Sequence, residues 1–139
     1  MRVVSDDAFP HTVTLKDDSK VLIRRAGPED FQMLCSMFTS LADETMFSRL
    51  RSQKELGKRD GEEILRLDEP NVTSLIAILM KDHEDHAIGE ARYVTDPGGR
   101  LAEAAVVVAD EWQNLGLGTA LFSDLIAEAR RQGLSKMFA

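Results

Sequence analysis

The sequence has 139 residues, 43% hydrophobic and 29% charged, which suits a globular domain with one core. Its net charge of −7 argues against a nucleic-acid surface, because phosphate backbones are bound by an excess of Lys and Arg. Cys35 is the single cysteine, so no internal disulfide is possible. The first ten residues contain no secretion signal. The longest apolar run, 75–80, has the length of a strand rather than of a membrane span. We therefore expect a cytoplasmic protein that neither binds nucleic acid nor spans a membrane.

The N-terminal residues predict a hairpin followed by a helix. Two short apolar stretches, 11–15 and 21–25, flank a polar turn of the kind that Asp and Ser favour. Residues 27–30, Gly-Pro-Glu-Asp, predict a helix start, because proline suits the first turn and acids complement the helix dipole. Helical spacing gives this helix one apolar face, formed by Phe31, Leu34, Cys35, Phe38, Leu41 and Ala42.

The rest of the chain predicts a meander and a second long helix. The charged middle region predicts helical segments at 48–54 and 62–67, separated by Gly57 and Gly61. Strands are predicted at 73–80, 86–94 and 101–108, joined by polar turns, as in an antiparallel meander. An amphipathic helix then extends to about Gln132, Gly133 ends it, and residues 134–139 begin another strand.

A glycine-containing loop lies between the last meander strand and this helix. Residues 113–118 are Gln-Asn-Leu-Gly-Leu-Gly, and backbone N–H groups in such a loop favour a pyrophosphate-sized anion. A Walker A loop would need lysine after Gly118, where Thr119 stands. A dinucleotide fingerprint would need a third glycine, where Leu121 stands. A purely structural turn is the remaining alternative to an anion-binding loop.

Residues 106–118, Val-Val-Val-Ala-Asp-Glu-Trp-Gln-Asn-Leu-Gly-Leu-Gly, resemble the acyl-CoA signature Gln/Arg-x-x-Gly-x-Gly/Ala of the GNAT superfamily of acetyltransferases. The order of predicted elements from Val21 onward is also similar to that family. Within it, residues 23–30, the preceding hairpin and the Trp112-Gln113 pair resemble Pat-type protein lysine acetyltransferase domains. The resemblance implies one α+β domain over 1–139, an α/β/α sandwich with a mixed, mainly antiparallel sheet. Its hairpin spans about 11–25, and its CoA loop and helix span about 106–132.

The same resemblance implies an N-acetyltransferase that uses acetyl-CoA and no metal. Glu103 matches the family's glutamate base, which would act directly or through water on a protein lysine or a small-molecule amine. The pantetheine arm would follow the backbone of Val106, Val107 and Val108. The pyrophosphate would contact Gln113, Asn114, Leu115, Gly116, Leu117, Gly118 and Thr119. The structural alternatives are an exposed strand residue for Glu103 and a buried strand for the valines.

Other chemically capable residues are weaker candidates. Glu90 and Glu111 are expected to be solvated surface acids, and Cys35 an inert buried thiol. The methionines at 33, 37 and 46 are expected to fill the core or a crevice. The three histidines share no metal-ligand spacing with Cys35, and we expect them at the surface: His11, His83 and His86.

The resemblance also implies a truncation, because the family completes a fifth strand and continues beyond it. Three explanations remain open: a fragment of a longer acetyltransferase, a homodimer formed through the open sheet edge, or a non-catalytic GNAT module. Such a module would bind acyl-CoA or a protein partner in a regulatory role. We prefer the first explanation.

Overall fold

The computed structural model describes residues 9–39 and 66–138. These residues contain one six-stranded sheet with the strands in sequence order. All neighbouring strands are antiparallel except the last two, which are parallel. The strands are β1 (His11–Thr14), β2 (Lys20–Arg25), β3 (Val72–Lys81), β4 (Glu84–Thr95), β5 (Leu101–Val108) and β6 (Lys136–Phe138). The predicted mixed, mainly antiparallel α+β fold is confirmed.

Two α-helices, α1 (Phe31–Thr39) and α2 (Leu117–Arg131), pack on opposite faces of the sheet. The core under α2 includes Val21, Ile23, Leu75, Tyr93, Leu121 and Leu125. The core under α1 includes Phe31, Leu34, Phe38, Ile76 and Ile78. The three layers form the predicted sandwich. None of the described helices is long and apolar enough to cross a membrane.

The buried carboxylate of Asp30 stabilises the start of α1. A short 3-10 helix, Pro28–Asp30, precedes α1, and Asp30 accepts a hydrogen bond of 2.9 Å from the backbone N–H of Gly27. The guanidinium of Arg24 donates to both carboxylate oxygens at 2.8 and 2.9 Å. These bonds from Arg24 outweigh the opposing effect of burial and, with the Gly27 bond, lower the pKa of Asp30. Asp30 therefore ties the helix start to β2.

Each predicted strand has a counterpart, and strand 101–108 has the predicted bounds. The predicted helical segment at 48–54 lies outside the described residues, as do Leu41, Ala42 and Met46. The predicted segment at 62–67 also lies outside them, except for Arg66 and Leu67, which are not helical. The parallel pairing of β5 with β6 brings the end of the chain beside the start of β5.

Gly89 allows α2 to lie close to the sheet. A Cβ at Gly89 would lie 3.0 Å from Leu121 Cδ1 and 3.3 Å from Leu117 Cδ2, so these leucine side chains would have to shift by a few tenths of an ångström to admit it. The pairing of β3 with β4 shifts register beside this position, between Ala77 and Ile78. The first turns of α2 are thus seated on β4, next to the end of β5.

Candidate functional site

The loop between β5 and α2 is anchored from inside the molecule. A short 3-10 helix, Asp110–Trp112, leads into it, and the side chains of Trp112, Leu115 and Leu117 pack against the core under α2. The side-chain amide of Gln113 donates to the carbonyl of Val108 at 3.0 Å. The apolar side chains of the loop are thus directed inward, while the polar side chains of Gln113 and Asn114 are exposed.

The backbone of this loop leaves several donors unused. Asn114 and Gly116 adopt left-handed conformations, with φ of 68° and 97°. Gly116 is the N-cap of α2, no side chain caps it, and its carbonyl accepts from the N–H of Ala120 at 3.1 Å. Within the described chain, the N–H groups of residues 115–119 donate no hydrogen bond. Unpaired donors at the positive end of a helix suit an anion.

A groove of about 570 Å³ continues from the loop along α2 and β5. It is lined by Val106, Gly118, Thr119, Phe122, Ser123 and Ile126. Gly118 lies at the end of the groove nearest the loop, where a Cβ would lie 3.7 Å from Val108 Cγ2. The groove is mainly apolar, which suits a flexible chain attached to the anion.

One edge of β5 is open beside this groove. Strand β6 pairs only with Leu101–Glu103 in the described structure. The N–H groups of Ser135 and Lys136 both donate to the carbonyl of Arg100 at 3.2 Å, so the even-numbered residues of β5 turn their backbone toward β6. Beyond the reach of β6, the same alternation leaves an unpaired row of backbone groups.

The three valines of β5 therefore differ. Val106 turns its N–H and C=O toward the open edge, as does Ala104. Val107 turns its backbone toward β4, because Ala109, two residues later, donates to Ile88 on that strand at 2.9 Å. Val108 faces the open edge, where its carbonyl accepts from the Gln113 side chain. Val106 thus has backbone groups free for a ligand, whereas the backbone of Val107 is directed to the sheet.

Glu103 is an exposed carboxylate on the face of β5 opposite α2. Its neighbours Ala102 and Ala104 point into the core under α2, so the alternation of the strand directs Glu103 to the other face. The one tyrosine of the sequence, Tyr93, is only 2% exposed and lies in that same core. Glu103, unlike Tyr93, is therefore accessible to an acceptor and to water.

Glu90 is not the surface acid that the sequence suggested. Its side chain is 1% exposed, and it accepts hydrogen bonds from the Ser74 hydroxyl and from Arg92 Nε at 2.8 Å. The prediction was wrong because β4 is a central strand covered on both faces. Arg92, two positions along β4 on the same face, was the sequence feature that could have indicated a buried ion pair with Glu90. Glu111 is exposed, as expected.

The remaining candidates lie apart from the loop. His11 is half-buried and bonded to Asp124 at 2.8 Å, while the other two histidines are exposed near the β3–β4 turn. Cys35 and Met33 are half-buried against the core under α1, and Met37 is inside it. In residues 9–39 and 66–138, no three His, Cys, Asp or Glu side chains are grouped as metal ligands.

Lys16 is a neighbour of the loop that the sequence did not indicate. Its backbone N–H donates to the carbonyl of Leu115 at 3.0 Å. Its Cε lies 3.9 Å from the position that a Cβ would occupy on Gly116. Only the folding of the hairpin onto the loop brings these distant parts of the chain together, and no local pattern predicts that contact.

In the described structure, the open donors at the start of α2 and the open edge of β5 lie beside one groove, an arrangement that suits an anion with a flexible arm. Residues 36–139 match the sequence model of the Acetyltransferase (GNAT) family, and the chain belongs to that family. The predicted family is confirmed. Enzymes of this family use acetyl-CoA as co-substrate, which fits an anion-binding loop beside an apolar groove.

Particular relatives agree with this assignment. The acetyltransferase PA5475 of Pseudomonas aeruginosa is 30% identical over 131 residues, which are 93% of this chain and 70% of that protein. The GNAT domain of S. lividans PAT is 24% identical, with a TM-score of 0.69 over 90% of this chain and 74% of that one. An aminoglycoside acetyltransferase from an uncultured soil metagenomic sample, solved with sisomicin, is 18% identical, with a TM-score of 0.60 over 85% and 75% of the two chains. The two structures show the shared fold.

Proposed function

We propose that this protein transfers an acetyl group from acetyl-CoA to an amine of a protein lysine or of a small molecule. The observation that supports this most strongly is the set of unpaired N–H groups at residues 115–119, next to the groove on the open edge of β5. The pyrophosphate would be bound by these donors, and the pantetheine arm would lie in the groove. Left-handed Gly116 gives the phosphate close access to the backbone.

The reaction is a direct transfer in one active site. The neutral amine nitrogen attacks the thioester carbon, and its proton passes to Glu103 directly or through water. The tetrahedral intermediate then expels the thiolate, which takes up a proton as the C–S bond breaks. Outward-facing backbone N–H groups such as that of Val106 would stabilise the negative charge that develops on the carbonyl oxygen.

Glu103 is the residue that we propose as the base. It is exposed on the face of β5 opposite the groove, so an amine that approaches the open edge of β5 from that face would reach its carboxylate directly or through a water molecule. Tyr93 is buried on the other side of the sheet and is therefore not the acid that protonates the thiolate. Water or the released proton on Glu103 would supply that proton.

The acceptor class rests on charge and on the neighbouring structures. A net charge of −7 favours the approach of protonated amines, which must then lose a proton at the site. The resemblance of residues 23–30 and the Trp112-Gln113 pair to Pat-type domains supports a protein lysine as acceptor, and the aminoglycoside acetyltransferase solved with sisomicin supports a small-molecule amine. We place the activity in the cytoplasm, since a single cysteine indicates no need for an oxidising compartment.

Calorimetric titration with acetyl-CoA, combined with turnover assays on lysine peptides and free amines, tests the proposal. Glu103→Gln should lower kcat/KM by at least about 100-fold while leaving the acetyl-CoA Kd unchanged, because it removes a base and not a binding group. Glu111→Gln is the matched control, since Glu111 is also an exposed acid close to the loop. That variant should keep the activity of the unmodified protein.

The outcomes separate the possible roles of the chain. Absence of acetyl-CoA binding would contradict the proposed function as a whole. Binding without turnover on any amine would instead support a non-catalytic module that senses acyl-CoA. Full activity in Glu103→Gln would remove Glu103 from the mechanism and leave the transferase assignment in place.

A further inference from the structure

The turn of the β1–β2 hairpin is held against the loop at the start of α2. Leu15 is buried, and its N–H donates to Ser19 at 2.8 Å, which closes the turn. The next residue, Lys16, donates its backbone N–H to the carbonyl of Leu115 at 3.0 Å. This bond involves backbone atoms alone, so it fixes the position of Lys16 beside the loop whatever side chain that residue carries.

The side chain of Lys16 extends along the loop toward Gly116. Its Cε lies 3.9 Å from the position of a Cβ on Gly116, the N-cap of α2. Lys16 is exposed and forms no ion pair with any residue in the described ranges. The nearby carboxylate of Asp17 instead accepts from the N–H of Ser19 at 3.0 Å. A cation without a protein partner therefore lies next to the backbone donors.

We infer that Lys16 is part of the acetyl-CoA site and that its ammonium group contacts the pyrophosphate. This inference rests on the proposed function, because it takes the pyrophosphate to be bound at residues 115–119. A lysine supplies a point charge to a phosphate, which backbone dipoles alone do not provide. The chain is strongly acidic overall, and Asp110 and Glu111 lie just before the loop, so a local cation offsets repulsion of the ligand.

The hairpin that carries Lys16 lies outside residues 36–139, the part of the chain that matches the family model. The binding residue would therefore come from the segment that precedes the region matched by the family model. The pyrophosphate rather than the 3′-phosphate of the adenosine is the expected partner, because the Lys16 side chain lies beside Gly116, the N-cap whose neighbouring N–H groups are unpaired. These two phosphates can be distinguished experimentally.

The test is calorimetric measurement of Kd for acetyl-CoA and for acetyl-dephospho-CoA, which lacks only the 3′-phosphate. Lys16→Ala should raise both Kd values by about tenfold, and the loss should shrink at high salt. Lys16→Arg should retain most of the affinity. Lys20→Ala is the matched control, since Lys20 belongs to the same hairpin but its ammonium donates to Thr14 Oγ1 at 3.3 Å. Its Kd values should be unchanged.

Several results would overturn the inference. An unchanged Kd in Lys16→Ala would remove Lys16 from the site, and a loss confined to acetyl-CoA would show that it binds the 3′-phosphate instead. An equal loss in Lys20→Ala would show a general charge effect of the hairpin. If the unmodified protein binds neither ligand, the proposed function itself fails, which is a different result from any of these.

Discussion

The two ends of helix α2 are built in opposite ways. At its C-terminal end the backbone is closed: Gln132 N–H donates to Glu128 at 3.0 Å, and Leu134 N–H donates to Ala129 at 3.1 Å. At its N-terminal end no side chain caps Gly116, and the donors of residues 115–119 have no partner in the described structure. Every helix has unpaired groups at both ends. Among the described residues only the N-terminal end of α2 is left open, which is why we propose it as the ligand site.

The closed end also contains a buried carboxylate that is fully engaged. Glu128 is 1% exposed and accepts hydrogen bonds from Arg25, Arg131 and Gln132, with Arg25 Nη2 at 2.8 and 2.9 Å. Both arginines also lie over the ring of Phe9, at 5.2 and 5.6 Å from its centroid. This network joins β2, α2 and the N-terminal segment. We expect this network to stabilise the fold, whereas we propose that the loop binds the ligand.

The largest effect is expected at the closed end. Glu128→Ala should lower the free energy of unfolding by about 3 kcal/mol, because it leaves two arginines without their buried partner. The measurement is urea unfolding followed by circular dichroism. Asp124→Ala, on the same helix but half-exposed and paired with His11, should cost less than about 1 kcal/mol. A loss of similar size in both variants would contradict the special role of Glu128.

The same network predicts a dependence of stability on pH. Burial by itself would raise the pKa of Glu128, but the hydrogen bonds from Arg25, Gln132 and Arg131 lower it below its usual value. Because the folded pKa is lower than the unfolded one, the stabilisation is present above the unfolded value of about 4.3 and is lost as pH falls through the folded pKa.

Glu128→Gln should therefore flatten the acid limb of the stability curve, by at most about 1.4 kcal/mol per pH unit. The measurement is the urea midpoint of both proteins between pH 7 and pH 3. Asp30 and Asp96, whose pKa values are also lowered, are unchanged in this variant and contribute to the slope that remains. Parallel curves for the two proteins would contradict the contribution of Glu128.

Local patterns in the sequence were sufficient for most of the fold. Apolar periodicity predicted the strands, and the glycines between a strand and an amphipathic helix predicted the loop before α2, while the anion site at that loop stays a prediction. The signal is local in each case, because turn and cap chemistry depend on neighbouring residues. These features could therefore be predicted from the sequence alone.

Contacts between distant segments were not predictable in this way. Lys16 lies beside Gly116, Glu128 pairs with Arg25, and Glu90 is buried by the strands on either side of it. Each of these depends on which strands become neighbours and which face a helix covers. A single sequence contains both partners of such a contact but not their distance.

The most direct test of the central claim compares aspartate at the two left-handed glycines that flank α2. Gly116 and Gly133 have φ of 97° and 81°, and a Cβ at either position meets nothing closer than 3.9 Å, so both substitutions impose a similar backbone strain. Calorimetry should show at least about a tenfold rise in the acetyl-CoA Kd for Gly116→Asp, since it places an anion where the pyrophosphate binds. Gly133→Asp should leave the Kd unchanged. Equal Kd values in the two variants would contradict binding of acetyl-CoA at the open end of the helix.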